Sequence, residues 1–242
     1  MDTSHQTSTQ AGIKVVSTLA LKKAMGELVA RFEQLTGMAA TIDFAPTNAL
    51  LGRIQSGEFA DAAILTAEAI GQLTDCGVLV RESRADLALS AVGIAVKAGA
   101  HRPNIESVDA LKSALLKAES IVYSRIGASG VFFADLIQRL GIADEVNAKA
   151  RIIPNGFTAE LVASGEAELA IQQVSELMMV PGVDVAARLP SGAQSITTFS
   201  AGVFTGATHP EAAMRLVEIL SSPESTSILK ASGLDPVARG PA

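Results

Sequence analysis

Residues 123–130 combine the end of a strand, a loop of small residues and the start of a helix, a pattern that favours anion binding. The first N–H groups of a helix have no internal acceptor, and they lie at the positive end of the helix dipole. Ser129 adds a hydroxyl, and the Arg125 guanidinium can hold a carboxylate through two parallel hydrogen bonds. The alternative is that Ser129 only caps the helix and Gly130 only permits close packing. The G-x-G-x-x-G spacing of a dinucleotide loop is absent.

Two further helix starts carry hydroxyl groups and could contribute to the same site. Thr47 and Asn48 open a predicted helix, and Thr18 ends the first predicted strand just before another helix. Three such starts facing one cleft would surround an anion with backbone N–H groups. Thr47 as an ordinary helix cap is the alternative interpretation.

Polar side chains also follow or interrupt the later strands. Gln172 and Gln173 come directly after an apolar run, where their amides either contact the polar edge of a ligand or satisfy loop backbone groups. Ser200 lies in a long predicted strand. It is interpreted as a hinge residue, as a residue that lines the cleft, or as a purely structural residue. These positions extend the candidate ligand-binding set.

The candidates for proton transfer are Tyr123, Glu176 and Asp43, because each offers an acid or base close to the proposed ligand segments. For Tyr123, a core position with a bonded hydroxyl is the alternative, and it is slightly favoured. No serine has the G-x-S-x-G context of a hydrolase nucleophile, and the three histidines lie far apart. We therefore expect no metal and no cofactor.

Composition narrows the function classes. The chain has 242 residues, of which 48% are hydrophobic and 18% charged, and a formal net charge of −6. A globular fold is predicted, and the lack of a Lys/Arg cluster argues against nucleic-acid binding. No apolar run is long enough to insert into a membrane. Residues 1–12 lack the features of a secretory signal, so we expect a cytoplasmic protein, or a periplasmic one if a leader has been removed.

Strand and helix patterns alternate along the chain, which predicts parallel βαβ units in an α/β fold. We expect strands at 13–18, 61–65, 121–124 and 169–173, and a long return strand at 195–204. Two lobes with a ligand cleft between them fit this order. Lobe one would hold 11–88 and 203–242, lobe two 89–202 with the return strand, and 1–10 would be a disordered tail.

The order of four segments resembles the type II periplasmic binding proteins, in particular the molybdate-binding family. These segments are VVSTLALKKAM, FAPTNALLGRIQSGEFADAAIL, GASG with LGIADEV, and ELVASGEAELAIQQ. The resemblance implies two lobes, mixed sheets and hinge closure on a small anion, with an ABC permease as a possible partner. It places Ala20, Thr47, Ser129 and Gln173 at ligand positions. Ala20 and Gln173 stand where that family has serine and tyrosine, which favours an organic carboxylate over a tetrahedral oxyanion.

The chain is also similar to aconitate isomerases, through its GASG loop, QQVSEL and FSAGVF. This second resemblance implies an enzyme that interconverts trans- and cis-aconitate by proton transfer. The expected function is thus binding of a small anion, with isomerisation of an unsaturated polycarboxylate as the alternative.

Overall fold

The structure is a computed structural model that describes residues 12–237, so the predicted tail at 1–10 lies outside the described residues. The strands are β1 Gly12–Ser17, β2 Ala39–Phe44, β3 Ala62–Thr66, β4 Ala85–Lys97, β5 Ile121–Ser124, β6 Ala150–Ile153, β7 Leu169–Gln173, β8 Val183–Arg188, β9 Ile196–Val203 and β10 Asp235–Pro236. The helices are α1 Lys22–Thr36, α2 Thr47–Gln55, α3 Ala67–Asp75, α4 Val108–Lys117, α5 Ala128–Arg139, α6 Ala143–Ala148, α7 Ala159–Ala163, α8 Val174–Leu177, α9 Pro210–Leu220 and α10 Thr226–Ala231. Short 3₁₀ turns occur at Leu19–Leu21, Arg81–Ser83, Ser191–Ala193 and Pro223–Ser225.

The strands form two groups that share one long strand. The order is β2-β1-β3-β9-β4-β7-β5-β6, and β8 and β10 also pair with β4. Strand β4 pairs with β9 up to Ala91 and with β7 from Val92 onward, so its partners change at this point. The first group, β1–β3 with β9 and β10, forms one lobe, and β5–β8 form the other. This arrangement confirms the predicted two-lobed α/β fold.

Each lobe is built on strands that are buried on both faces. In β1, Val15 faces the cluster that contains Leu28 and Phe32 of α1, and Val16 faces the cluster that contains Leu50 and Ile70. Successive strand residues point to opposite faces, so helices cover both sides of the sheet. The second lobe has the same plan, with one cluster on each side of its sheet.

The predicted elements mostly match, with differences where the elements are short. The strands at 121–124 and 169–173 have the expected bounds. Helix α1 ends at Thr36, and its C-cap is Gly37, whose φ of 69° suits a glycine. We expected the return strand to belong to lobe two. Instead β9 pairs with β3 from Phe199 to Val203, so it lies in the sheet of lobe one. The division of the chain between lobes is otherwise a proposal.

Candidate functional site

Three helix starts meet at one cavity between the lobes. The space between the atoms of its walls is about 430 Å³, a volume that includes open solvent at its edge. Its walls are residues of the three starts, polar residues of lobe two and one aromatic residue. The lining consists of Thr18, Leu19, Pro46, Thr47, Gly127, Ala128, Ser129, Ser124, Asn155, Gly156, Gln172, Gln173, Glu176 and Phe199.

The start of α5 forms the lobe-two side of this cavity. Gly127 is its N-cap, and no side chain caps the helix. Ser124 Oγ accepts hydrogen bonds from the N–H groups of Ile126 (3.2 Å) and Gly127 (3.5 Å), which shapes the loop. A Cβ at Gly130 would lie 1.4 Å from the Ser124 carbonyl oxygen, so only glycine lets α5 begin so close to β5. The next N–H groups, at Ala128 and Ser129, border the cavity.

The start of α2 faces α5 from lobe one and carries an unpaired hydroxyl. Pro46 is the N-cap and has no capping side chain, so the first N–H groups of α2 have no side-chain acceptor. Thr47 is 5% exposed, and its Oγ1 is buried without a hydrogen-bond partner. Buried hydroxyls normally have partners. An unsatisfied hydroxyl in a cavity wall is a group positioned for a ligand.

Thr18 supplies the third start. Its N–H donates to the Ile64 carbonyl oxygen at 2.9 Å, which fixes the end of β1 beside β3. Its side chain makes no capping hydrogen bond to the 3₁₀ turn that follows, and that turn leads directly into α1. Thr18 and Leu19 therefore present a hydroxyl and a helix start to the same cavity.

Glu176 is the one ionisable side chain of the lining within the described residues. It belongs to α8, which packs against the 3₁₀ turn of lobe one, and it is only 8% exposed. Burial raises the pKa of its carboxyl to about 8, against hydrogen bonds from the Gln173 backbone and the Gln172 amide that favour the ionised form. Near neutral pH the group is therefore mostly protonated, and it can lose its proton close to physiological pH.

The two amides are held in place by neighbouring groups. Gln172 Oε1 accepts from the backbone N–H (2.8 Å) and the hydroxyl (2.9 Å) of Thr158, and its Nε2 donates to the Gly156 carbonyl oxygen (3.0 Å). The Gln173 amide, in the orientation that satisfies its neighbours, donates to Ser90 and accepts from the Thr197 hydroxyl. Gln172 thereby positions the loop at Gly156 as well as Glu176, and Gln173 ties β7 to β4 and β9.

Arg125 and Tyr123 lie outside the cavity lining. Tyr123 is fully buried in the core of lobe two, and its hydroxyl donates to Asn147 Oδ1 at 2.6 Å. Arg125 is exposed, with Nη2 3.4 Å from the Tyr123 hydroxyl and 3.4 Å from Asn147 Oδ1. Both side chains are engaged at the edge next to α6, because strand alternation turns them away from the cleft. Neither side chain lines the cavity, and the carboxylate contact of Arg125 and the proton-transfer role of Tyr123 stay predictions.

Five other predicted positions lie outside the cavity lining. Ala20 is buried in the 3₁₀ turn, and Gly130 serves packing. Ser200 is fully buried and donates to Asp86 Oδ1 at 2.6 Å, because β9 turns it toward β4. Asn48 is exposed, and its Nδ2 donates to the Ile126 carbonyl oxygen at 3.0 Å, which joins α2 to the loop before α5. Asp43 pairs with Arg53 on the surface of lobe one.

The cavity lining also contains residues that were not predicted as site residues, among them Asn155, Gly156, Phe199, Leu19 and Pro46. Little in the sequence indicated that the segment after β6 lines a site, because β6 has only four residues and two of them are exposed. Phe199 lies beside Ser200 in β9, so the strand was predicted but not which of its residues lines the cavity. Only alternation along β9 against a known neighbour distinguishes the two faces.

Two kinds of feature are absent from residues 12–237. No group of three or more His, Cys, Asp or Glu side chains there could hold a metal ion. None of the helices in this range is both long and apolar enough to cross a membrane.

Replacing Thr47 by valine tests the unpaired hydroxyl. We expect affinity for an anionic ligand to fall about tenfold or more, since a hydrogen bond to a charged acceptor contributes about 1.5–3 kcal/mol. The free energy of unfolding should stay the same or rise, because the variant removes a buried polar atom that has no partner. Titration calorimetry and urea unfolding measure the two quantities.

Thr74→Val is the matched control for this prediction. Thr74 is also buried, but its hydroxyl donates to the Ile70 carbonyl oxygen at 2.7 Å, far from the cavity. This variant should leave affinity unchanged. Equal affinity of Thr47→Val and the unmodified protein would show that Thr47 does not contact the ligand.

Comparisons with known proteins agree with this geometry. A family model for bacterial extracellular solute-binding proteins matches residues 13–235. A Pseudomonas protein named aconitate isomerase is 35% identical over 235 residues, which is 95% of this chain and 89% of that protein. The periplasmic molybdate-binding protein of Azotobacter vinelandii superposes with a TM-score of 0.77 at 17% identity, over 94% of this chain and 100% of the other. The sulfate-binding protein SubI of Mycobacterium tuberculosis H37Rv gives a TM-score of 0.73 at 16% identity, over 94% and 87%. Because both identities are so low, these two structures show only that the fold is shared.

Proposed function

Because the chain belongs to the bacterial extracellular solute-binding protein family, we propose that it binds a small polycarboxylate between its lobes and isomerises it by proton transfer. The observation that carries the proposal is Glu176, a buried carboxyl with a pKa near 8 in a cavity otherwise lined by neutral groups. A pure binding site needs donors but no titratable acid of this kind. A group with a pKa near the working pH is suited to take up and return a proton.

Anion binding rests on the three helix starts. Each presents backbone N–H groups without a side-chain cap, and Thr18, Thr47 and Ser129 add hydroxyls. A polycarboxylate can place different carboxylates on different starts, so that each negative charge meets the positive end of a helix dipole. Neutral donors also stabilise charge that develops on a carboxylate during the reaction.

The substrate class follows from the chemistry that one carboxyl can perform. In trans-aconitate, a CH₂ group lies next to a carbon–carbon double bond that is conjugated with carboxylates. Ionised Glu176 removes a proton from this CH₂, the electron pair moves through the double bond onto a carboxylate, and the helix N–H groups stabilise the added charge. The protonated Glu176 then returns the proton to the other end of the three-carbon unit, which gives cis-aconitate. This isomerisation needs no oxidant, cofactor or second substrate. The 35% identical relative named aconitate isomerase supports trans-aconitate as the substrate.

Binding without turnover is the second candidate, favoured by the family and by the neutral donor set. A protonated Glu176 can donate a hydrogen bond to an oxyanion or carboxylate just as the hydroxyls do. The protein would then deliver its ligand to an ABC permease from a location outside the cytoplasmic membrane. Closure of the lobes by a hinge would be its mechanism.

A proton NMR time course in D₂O distinguishes these functions. We expect trans-aconitate to be converted to cis-aconitate, with less than one solvent deuterium per turnover, because a single shielded base returns part of the original proton. Line broadening of trans-aconitate without isomer or exchange would support the second candidate. Neither binding nor conversion of any di- or tricarboxylate would contradict both.

A further inference from the structure

Lys22 lies where the two lobes meet. It is the first residue of α1, and its Nζ is 5.7 Å from the centre of the Phe44 ring and 5.5 Å from the centre of the Phe157 ring. Phe44 ends β2 in lobe one, and Phe157 precedes α7 in lobe two. An ammonium within about 6 Å of an aromatic face is attracted by the ring quadrupole, so the two rings together hold the charge between the lobes.

Both rings belong to segments that border the cavity. Phe157 directly follows Asn155 and Gly156, and Phe44 is two residues before Pro46, all three of which line the cavity. Lys22 itself follows the 3₁₀ turn that begins at the lining residue Leu19. The ammonium is therefore a positive charge next to the segments that border the cavity, a position called here the rim of the cleft.

The ammonium of Lys22 has no anionic partner among residues 12–237. None of the ion pairs or hydrogen bonds found in this part of the chain involves it, whereas Arg53, Arg139 and Arg188 each pair with a carboxylate. Aromatic faces attract a cation but accept no full hydrogen bond from it, so its N–H donors remain available to an anion.

We infer that Lys22 is the specificity-determining cation of the cleft and selects ligands that carry more than one carboxylate. The inference rests on the proposed function and adds the group that reads ligand charge. The helix starts hold one end of the ligand, and a second or third carboxylate reaches the rim, where Lys22 neutralises it. A monocarboxylate ends before the rim and gains nothing from Lys22.

The test compares Lys22→Met with Lys22→Arg and Lys23→Met. Methionine keeps the length of the side chain without the charge, arginine keeps the charge, and Lys23→Met removes the same charge from the neighbouring exposed position. Dissociation constants are measured for propane-1,2,3-tricarboxylate, which has no double bond to isomerise, and for the monocarboxylate crotonate.

We expect Lys22→Met to weaken tricarboxylate binding about tenfold and to reduce its salt dependence, since one partly solvated charge pair is lost. Crotonate binding should stay the same, and the other two variants should bind both ligands within about threefold of the unmodified protein. With trans-aconitate, the loss should appear in KM and not in kcat.

Three results would overturn the inference in distinguishable ways. Unchanged tricarboxylate binding by Lys22→Met would show that the charge is not used. An equal loss for crotonate would make Lys22 a contact for lobe closure without selectivity. If the unmodified protein binds no polycarboxylate at all, the proposed function fails and the role of Lys22 fails with it.

Discussion

Replacing Glu176 by glutamine is expected to lower kcat for the isomerisation of trans-aconitate about a thousandfold. Glutamine has nearly the same shape as the protonated carboxyl that burial favours, but it cannot take up or return a proton. Binding of the unreactive propane-1,2,3-tricarboxylate should therefore stay within a few-fold of the unmodified protein at pH 7. Steady-state kinetics and titration calorimetry measure the two effects on the same preparation.

Tyr123→Phe and Glu211→Gln are the controls for this prediction. Tyr123 was another candidate for proton transfer, but its hydroxyl faces Asn147, so removing it should change kcat by only a few-fold. Glu211 is an exposed residue in the first turn of α9 and should have no effect. If Glu176→Gln retained full turnover, or lost affinity and turnover in proportion, the proton-transfer role would be wrong.

The pH dependence of kcat/KM provides a second readout of the same group. The reaction begins with ionised Glu176, so kcat/KM should rise with pH and level off above about pH 8. Binding of the unreactive tricarboxylate should change in the opposite sense and weaken through the same range, because an ionised Glu176 repels the anion. Opposite slopes for the two measurements distinguish a catalytic base from a group that only affects ligand charge.

The free energy of unfolding is expected to fall by about 4–5 kcal/mol between pH 4.5 and pH 8 because of Glu176 alone. The folded protein holds a proton on this carboxyl up to about pH 8, whereas the unfolded chain releases it near the ordinary pKa of 4.5. Since the folded state binds the extra proton, stability from this group is fully present at low pH and is lost as pH rises. Urea unfolding at several pH values measures the slope.

Glu176→Gln serves as the control, since it should remove this contribution while other titrating groups keep theirs. The difference between the two proteins should grow from pH 5 to pH 8 and then remain constant. Bound polycarboxylate should steepen the fall near pH 8 and extend it to higher pH, because it disfavours ionisation of Glu176 in the folded state. A difference that does not depend on pH would show that the carboxyl has an ordinary pKa.

Local signals in the sequence predicted most of the fold and the helix starts of the site. Thr18, Thr47 and Ser129 each stand between a strand pattern and a helix pattern, and parallel strands place such junctions at one edge of a sheet. These three residues do lie around a single cavity. The pattern cannot tell which junctions of two different lobes face each other, so convergence had to come from the structure.

The charged groups of the site were less predictable, because their roles depend on tertiary neighbours. Arg125 is next to the anion loop in sequence, but its side chain turns toward Asn147. Lys22 shows no motif, and only the approach of Phe44 and Phe157 from two lobes marks it. Glu176 was identified as a candidate, but its raised pKa results from burial against the first lobe, which no local pattern encodes.

Strand β9 also determines when the chain can fold during synthesis. The sheet of lobe one is completed by β9, which pairs with β3, and by α9, which packs on it, although β1–β3 leave the ribosome much earlier. Until Ile196–Val203 emerges, β3 presents an unpaired edge, and such an edge can pair with other chains. Strands β5–β8 are complete before this point, so the later lobe in sequence is ready to fold first. The newly made protein therefore depends on protection of its N-terminal third until the last quarter of the chain has been synthesised.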